Sequence, residues 1–223
     1  MKLGKVIASV VGGSTAFILA SALTATGTKA ATVVLDFEGV GDLNPVGNFY
    51  DTAPHDFDIT FSDNALGIVD EDAGGSGNFG GEPSRDTVLF FLGGSAARMN
   101  VLNGFTTGFS FFYSAINNPG FVRVLDASDN VLAQIDLPTT PFNGAPDPTG
   151  QFSPFVPIGV TFQGTAFAVD FGGTVNQIGF DNITLGSATP GTTVPEPTTI
   201  LGTLAFSALG GSTWLKRRRK QQG

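Results

Sequence analysis

The chain has 223 residues, no cysteine, 31 glycines, 13 prolines and a formal net charge of −8. That length suits one domain with appendages, and the absence of cysteine excludes disulfide scaffolds, thiolate metal sites and cysteine nucleophiles. Eight of the eleven basic residues lie at the two ends, leaving Arg85, Arg98 and Arg123 against eighteen acids in the middle, a balance that excludes nucleic-acid binding there.

Residues 1–30 read as a secretory signal peptide. Lys2 and Lys5 form a basic start, Val6 through Leu23 an apolar stretch, and small residues surround Ala30 and Ala31. Cleavage is expected between Ala30 and Ala31, with Ala25 or Gly27 as alternative positions. An uncleaved N-terminal anchor is the competing reading.

From residue 31 to residue 188 the pattern is that of an all-β domain. Short apolar or alternating runs recur at Val33–Phe37, Phe57–Phe61, Leu66–Val69, Thr87–Leu92, Ala97–Val101 and Thr107–Tyr113. They continue at Phe121–Leu125, Val131–Leu137, Phe155–Phe162, Ala166–Phe171 and Gln177–Leu185, with Gly, Asn, Asp or Pro clusters between. Ten or eleven strands of this kind predict an antiparallel β-sandwich of jelly-roll type. The 21 phenylalanines supply a thick core without polar atoms to satisfy. Phe57, Ile59 and Phe61 are expected on one buried face, as are Phe109, Phe111 and Tyr113. Asp126–Asn130 is expected to close a hairpin.

The acids near the two ends of this domain form the most suggestive constellation. Alternation places Asp36 and Glu38 on one face of the first strand. In the last strand Ile178 and Phe180 have the opposite parity to Ile183 and Leu185, and a bulge or bend near Asp181-Asn182 would reconcile both with one core. The acidic, glycine-rich stretch from Asp70 to Glu82 lacks the ligand spacing of a calcium loop and reads as a solvated loop. Residues for catalysis are sparse: His55 is the single histidine, and no nucleophile motif accompanies it. The chain is therefore read as no enzyme, with no catalytic residues, and a secreted hydrolase ranks third among the readings. For a sugar ligand, Tyr50 is expected to be an exposed stacking candidate, whereas Tyr113 continues a buried face.

Residues 189–198 are a Pro/Thr-rich linker that contains Val194-Pro195-Glu196-Pro197, and 199–220 comprise an apolar run and a basic stop. The run is long enough to span a hydrocarbon core of ~30 Å only at the short end of the range. Lys216, Arg217, Arg218, Arg219 and Lys220 would hold its end in the cytoplasm. An amphipathic surface helix or a buried core helix are the alternatives. The Pro-Glu-Pro motif, apolar run and basic end, on a chain with a signal peptide, resemble the PEP-CTERM sorting signal of bacterial exported proteins. That resemblance implies handling by signal peptidase and then by an exosortase-like membrane transpeptidase near Pro195–Pro197. A single-pass precursor would thus be delivered to the cell surface or extracellular matrix.

Asp36-Phe37-Glu38-Gly39 and Ile178-Gly179-Phe180-Asp181-Asn182-Ile183 also resemble stretches of PEP-CTERM ectodomains with a lectin-like or carbohydrate-binding-module-like jelly roll. The resemblance implies a structural Ca2+ held by Glu38 and Asp181, with Asp36 as a further ligand. The leading expectation is a non-enzymatic exported surface or matrix protein. The alternative is a Ca2+-dependent carbohydrate-binding module with an extracellular polysaccharide partner, acting in exopolysaccharide or biofilm.

Overall fold

The computed structural model describes residues 32–142 and 150–191, which carry eleven β-strands and no α-helix. The first six strands are β1 (Val33–Leu35), β2 (Ile59–Phe61), β3 (Ala65–Val69), β4 (Thr87–Phe91), β5 (Ala96–Phe105) and β6 (Gly108–Ser114). The rest are β7 (Gly120–Leu125), β8 (Val131–Leu137), β9 (Val156–Thr161), β10 (Ala166–Gly173) and β11 (Gly179–Leu185). The signal peptide with Ala30 and Ala31, the Pro-Glu-Pro motif, the C-terminal apolar run and the basic cluster lie outside the described residues. Among the described residues no helix is long and apolar enough to cross a membrane.

The strands form two antiparallel sheets. One has the order β3-β4-β11-β6-β9, with β1 added beside β11; the other has the order β2-β5-β10-β7-β8. Alternation explains how they face each other. Phe109, Phe111 and Tyr113 of β6 project inward, as do Phe180 of β11 and Phe171 of β10, and all are buried. The Phe171 and Phe180 rings, one from each sheet, meet edge to face with centroids 5.0 Å apart, and Phe111 joins Phe180 at 5.7 Å. Burying a side chain of this size is worth about 1.5–3 kcal/mol, so this aromatic seam accounts for much of the cohesion between the sheets.

Two local features differ from simple alternation. The strand expected at Phe57–Phe61 begins only at Ile59, because Asp56 and Asp58 adopt φ of +53° and +58°. Those left-handed residues break the extended run, so Phe57 turns out to solvent while Ile59 and Phe61 stay in the core. The hairpin between β7 and β8 forms as expected. Asp126 closes it by accepting the Ser128 and Asn130 N–H groups on Oδ1 at 2.8 and 2.9 Å.

After β11 the chain turns back as a strap across the outer face of the six-stranded sheet. The Ser110 hydroxyl donates to the Ser187 carbonyl at 2.9 Å, and the Gly191 N–H donates to the Thr184 hydroxyl at 2.9 Å. Glycine makes this approach possible. A Cβ on Gly159 would sit 2.2 Å from the Ala188 carbonyl oxygen, and one on Gly108 2.5 Å from the Ala188 nitrogen.

Candidate functional site

The last strand positions the site. Against β6, Asp181 lies opposite Phe112 and Thr184 opposite Ser110, so three steps on β11 match two on β6. Asn182 is the residue that absorbs the difference, with φ +46°. This is the bulge that side-chain parity demands, and it lets Ile178, Phe180, Ile183 and Leu185 all reach the core. On its other edge β11 changes partner at the same place: Phe180 pairs with Leu89 of β4, whereas Ile183 to Leu185 pair with β1. The bulge therefore faces a gap where β1 has ended and β4 has not begun.

Side chains close that gap. Ser84, three residues before β4, donates its backbone N–H and its hydroxyl to Asp181 Oδ2 at 2.8 and 2.7 Å. The Asn182 N–H donates to Asp181 Oδ1 at 2.7 Å. Glu38, three residues after β1, accepts the N–H groups of Asp86 and Thr87 on Oε1, each at 3.0 Å. The Ser84 hydroxyl also lies 3.3 Å from Glu38 Oε1 and 3.2 Å from the Asp36 carbonyl oxygen. One hydroxyl proton thus faces three acceptors.

The electrostatics are unbalanced. Asp181 is 0 % exposed, and burial pushes its carboxyl from 3.8 up to about 7, with Glu38 adding to the rise against the three hydrogen bonds. Among the described residues no arginine forms an ion pair with Asp36, Glu38 or Asp181; Arg98 pairs instead with Asp129 and Asp170. The Asn182 amide, also fully buried, has neither its oxygen nor its nitrogen hydrogen-bonded.

These positions sort the sequence expectations. Glu38 and Asp181 are brought together, joined by Ser84. Asp36 contributes its backbone carbonyl, while its carboxylate accepts the Glu38 N–H at 3.3 Å. Tyr50 is a correction: it is 1 % exposed, packed against Phe37 and Phe61, and cannot present its ring to a ligand. It lies on a short 3-10 turn, Phe49–Asp51, that folds inward because its hydroxyl accepts the Phe37 N–H at 2.6 Å. Burial and then the Asp36 charge push the Tyr50 phenol well above its usual range. His55 rests against the rings of Phe49 and Tyr50 at 4.8 and 5.1 Å. Ser84 was not foreseen, since nothing in Pro83-Ser84-Arg85 signals a contact with a strand 97 positions away.

The donor set is entirely oxygen, which suits a hard cation such as Ca2+. Among the described residues no three acidic or histidine side chains converge closely enough to hold a metal by themselves. A cation here would therefore draw on Glu38, Asp181, the Ser84 hydroxyl, the Asp36 carbonyl and water.

No family model and no curated protein matches this chain. Solved structures similar to this chain include three adhesin domains. The K2 cleaved adhesin domain of Lys-gingipain is 12% identical and matches 70% of this chain and 99% of its own, at a TM-score of 0.43. The K1 domain of Lys-gingipain from Porphyromonas gingivalis W83 is 15% identical over 70% and 97%, at 0.36. The K3 domain from the same organism is 17% identical over 71% and 93%, at 0.26.

Proposed function

We propose that this is a non-enzymatic exported protein of the cell surface or extracellular matrix, delivered as a β-sandwich by its C-terminal sorting signal. The observation that carries this reading is the order of parts around Pro195-Glu196-Pro197. Gly191, whose N–H is held by the Thr184 hydroxyl, lies four positions before Pro195 in the sequence, and the apolar run and five consecutive cations follow. A folded domain, a processing motif, a membrane stop and a cytoplasmic anchor thus come in the order that sorting requires. The non-enzymatic part rests on the acid site: Asp181 is buried beneath Ser84, and Glu38 is tied to the N–H groups of Asp86 and Thr87. Carboxylates held in this way brace the ends of three strands.

The test follows processing in exporting cells. Glu196→Ala, and separately deletion of residues 216–220, are expected to leave an unprocessed precursor in the membrane. If both leave mature mass and location unchanged, the sorting reading is wrong.

A Ca2+-dependent binding module is the second reading, supported by the single Ser84 proton shared among three acceptors. Bound there, Ca2+ would supply the positive charge the cluster lacks and clamp the ends of β1, β4 and β11. Its test is a calcium titration of the full chain followed by thermal unfolding. An unchanged midpoint in both wild type and Asp181→Asn would remove this reading.

A further inference from the structure

The strap after β11 turns on Gly186, which is fixed at both backbone groups. Its N–H donates to the Gly108 carbonyl at 3.0 Å, its carbonyl accepts the Thr107 hydroxyl at 2.9 Å, and its φ is +85°. Beyond this hinge the attachment to the sheet is polar and sparse. The Ser110 hydroxyl holds the Ser187 carbonyl and the Thr184 hydroxyl holds the Gly191 N–H, each at 2.9 Å. Ser187 and Thr189 are otherwise bonded to each other, the Thr189 N–H donating to the Ser187 hydroxyl and that hydroxyl to the Thr189 carbonyl. No residue from 186 to 191 is buried, and the segment Gly-Ser-Ala-Thr-Pro-Gly has no large apolar side chain to anchor it.

Ser110 and Thr184 are fully buried beneath the strap. When it lifts, their hydroxyls exchange one protein partner each for water, an exchange that is nearly balanced. Phe109, Phe111, Ile183 and Leu185, their neighbours on the same strands, face the core on the other side of the sheet and stay covered. Residues 187–191 therefore form a local unit that can open while the sandwich remains folded.

Docking of this unit controls the reach of the chain beyond it. Four steps separate Gly191 from Pro195, so Pro195 lies within about 14 Å of Gly191. A domain of this length has a radius of gyration of about 15 Å, so the motif is held closer to the sandwich than that radius. An enzyme acting on a peptide bond takes up the residues beside it as an extended strand and pairs with their N–H and C=O groups. On the N-terminal side of Pro195 those residues run back into the strap, where the Gly191 N–H and the Ser187 carbonyl are already engaged. With the strap lifted, nine steps run from Gly186 to Pro195, a reach of about 30 Å.

We infer that residues 187–191 are a latch that must leave the six-stranded sheet before the chain is processed at Pro195–Pro197. This rests on the sorting reading and adds its control: the docked strap withholds the motif, and the released strap presents it.

The chain has no cysteine, so one engineered disulfide can hold the latch shut in the oxidising exported compartment. A Cβ on Gly191 would lie 2.7 Å from Val34 Cγ2, which sets the two Cβ atoms about 4 Å apart, a spacing that a disulfide spans. In exporting cells, pulse-chase of Val34→Cys/Gly191→Cys is expected to show the precursor processed at least tenfold more slowly than wild type. Dithiothreitol should restore the wild-type rate and leave wild type itself unchanged. Each single-cysteine variant should be processed at least as fast as wild type, as should Ser110→Ala and Gly159→Val, which loosen the latch. The inference is overturned if the oxidised pair is processed as fast as the reduced pair, or if Ser110→Ala and Gly159→Val both slow processing. In those cases Glu196→Ala still blocks processing, and the sorting reading stands without the latch. If Glu196→Ala is processed like wild type, the sorting reading falls and the latch falls with it.

Discussion

Ser84 commits both of its donors to one oxygen of Asp181, the N–H at 2.8 Å and the hydroxyl at 2.7 Å, across 97 positions of sequence. This pair ties the approach to β4 onto the bulge of β11, where strand pairing alone leaves a gap. Ser84→Ala keeps the N–H and removes the hydroxyl, leaving a buried carboxylate with one donor fewer. The expected loss is about 1–3 kcal/mol of unfolding free energy, read from urea denaturation. An unchanged midpoint would show that the hydroxyl carries no weight in the fold.

Asp181 also predicts how stability changes with pH. Burial raises its folded-state value to about 7, whereas in the unfolded chain it titrates near 3.8. Between those values the folded protein holds a proton that the unfolded chain has released. Stability from this group is therefore complete below the lower value and is lost as pH rises through the upper one. The full span corresponds to roughly 4 kcal/mol. With chelator present, the unfolding midpoint should fall from mildly acidic to mildly alkaline pH, and Asp181→Asn should flatten that fall. A midpoint that rises over this range would contradict the assignment.

The strands were legible in the sequence because each is a short apolar or alternating run, Thr87–Phe91 being continuous and Ile59–Phe61 alternating, set between Gly, Asn, Asp or Pro breaks. The bulge was legible for the same reason, since the parity of Ile178 and Phe180 conflicts with that of Ile183 and Leu185. Long-range side-chain closure was not legible. Ser84 acts through a contact that no local pattern encodes, and Tyr50 sits in a polar-looking loop whose inward turn depends on the Phe37 N–H. Phe57 was misplaced because two aspartates in left-handed geometry look, in sequence, like ordinary polar positions of a strand.

The bulge residue separates backbone from side-chain effects. Asn182 has φ +46°, and its buried amide has no hydrogen-bond partner. Asn182→Gly keeps access to that backbone geometry and removes the unsatisfied group, so stability should be unchanged or higher by up to about 1 kcal/mol. Asn182→Val places a β-branched side chain at positive φ and should cost at least 1–2 kcal/mol, on the order of the left-handed penalty. Deleting Asn182 removes the extra residue, so Ile183 and Leu185 fall into the same alternation as Ile178 and Phe180, and that chain should still fold with its core face intact. The order Gly, then wild type, then Val in urea midpoints is the result to look for; Val equal to Gly would mean that the positive φ is not maintained.

The strap offers a test of the chain's exit from the domain. Gly159 lies on β9, at the edge of the sheet, directly under Ala188, and an added Cβ would also meet the Ser110 Cβ at 2.6 Å. Because β9 pairs along its length with β6, the strap is the element freer to move. Gly159→Val should therefore lift residues 187–191 off the sheet, at a cost of about 1–3 kcal/mol. The release should appear as faster hydrogen exchange at the Gly191 N–H, which donates to Thr184 in the intact strap. Limited proteolysis should cut within 187–191 in the variant before any cut in the sandwich, while wild type resists there. Equal exchange in the two chains would show that the strap is not held by the glycine contact.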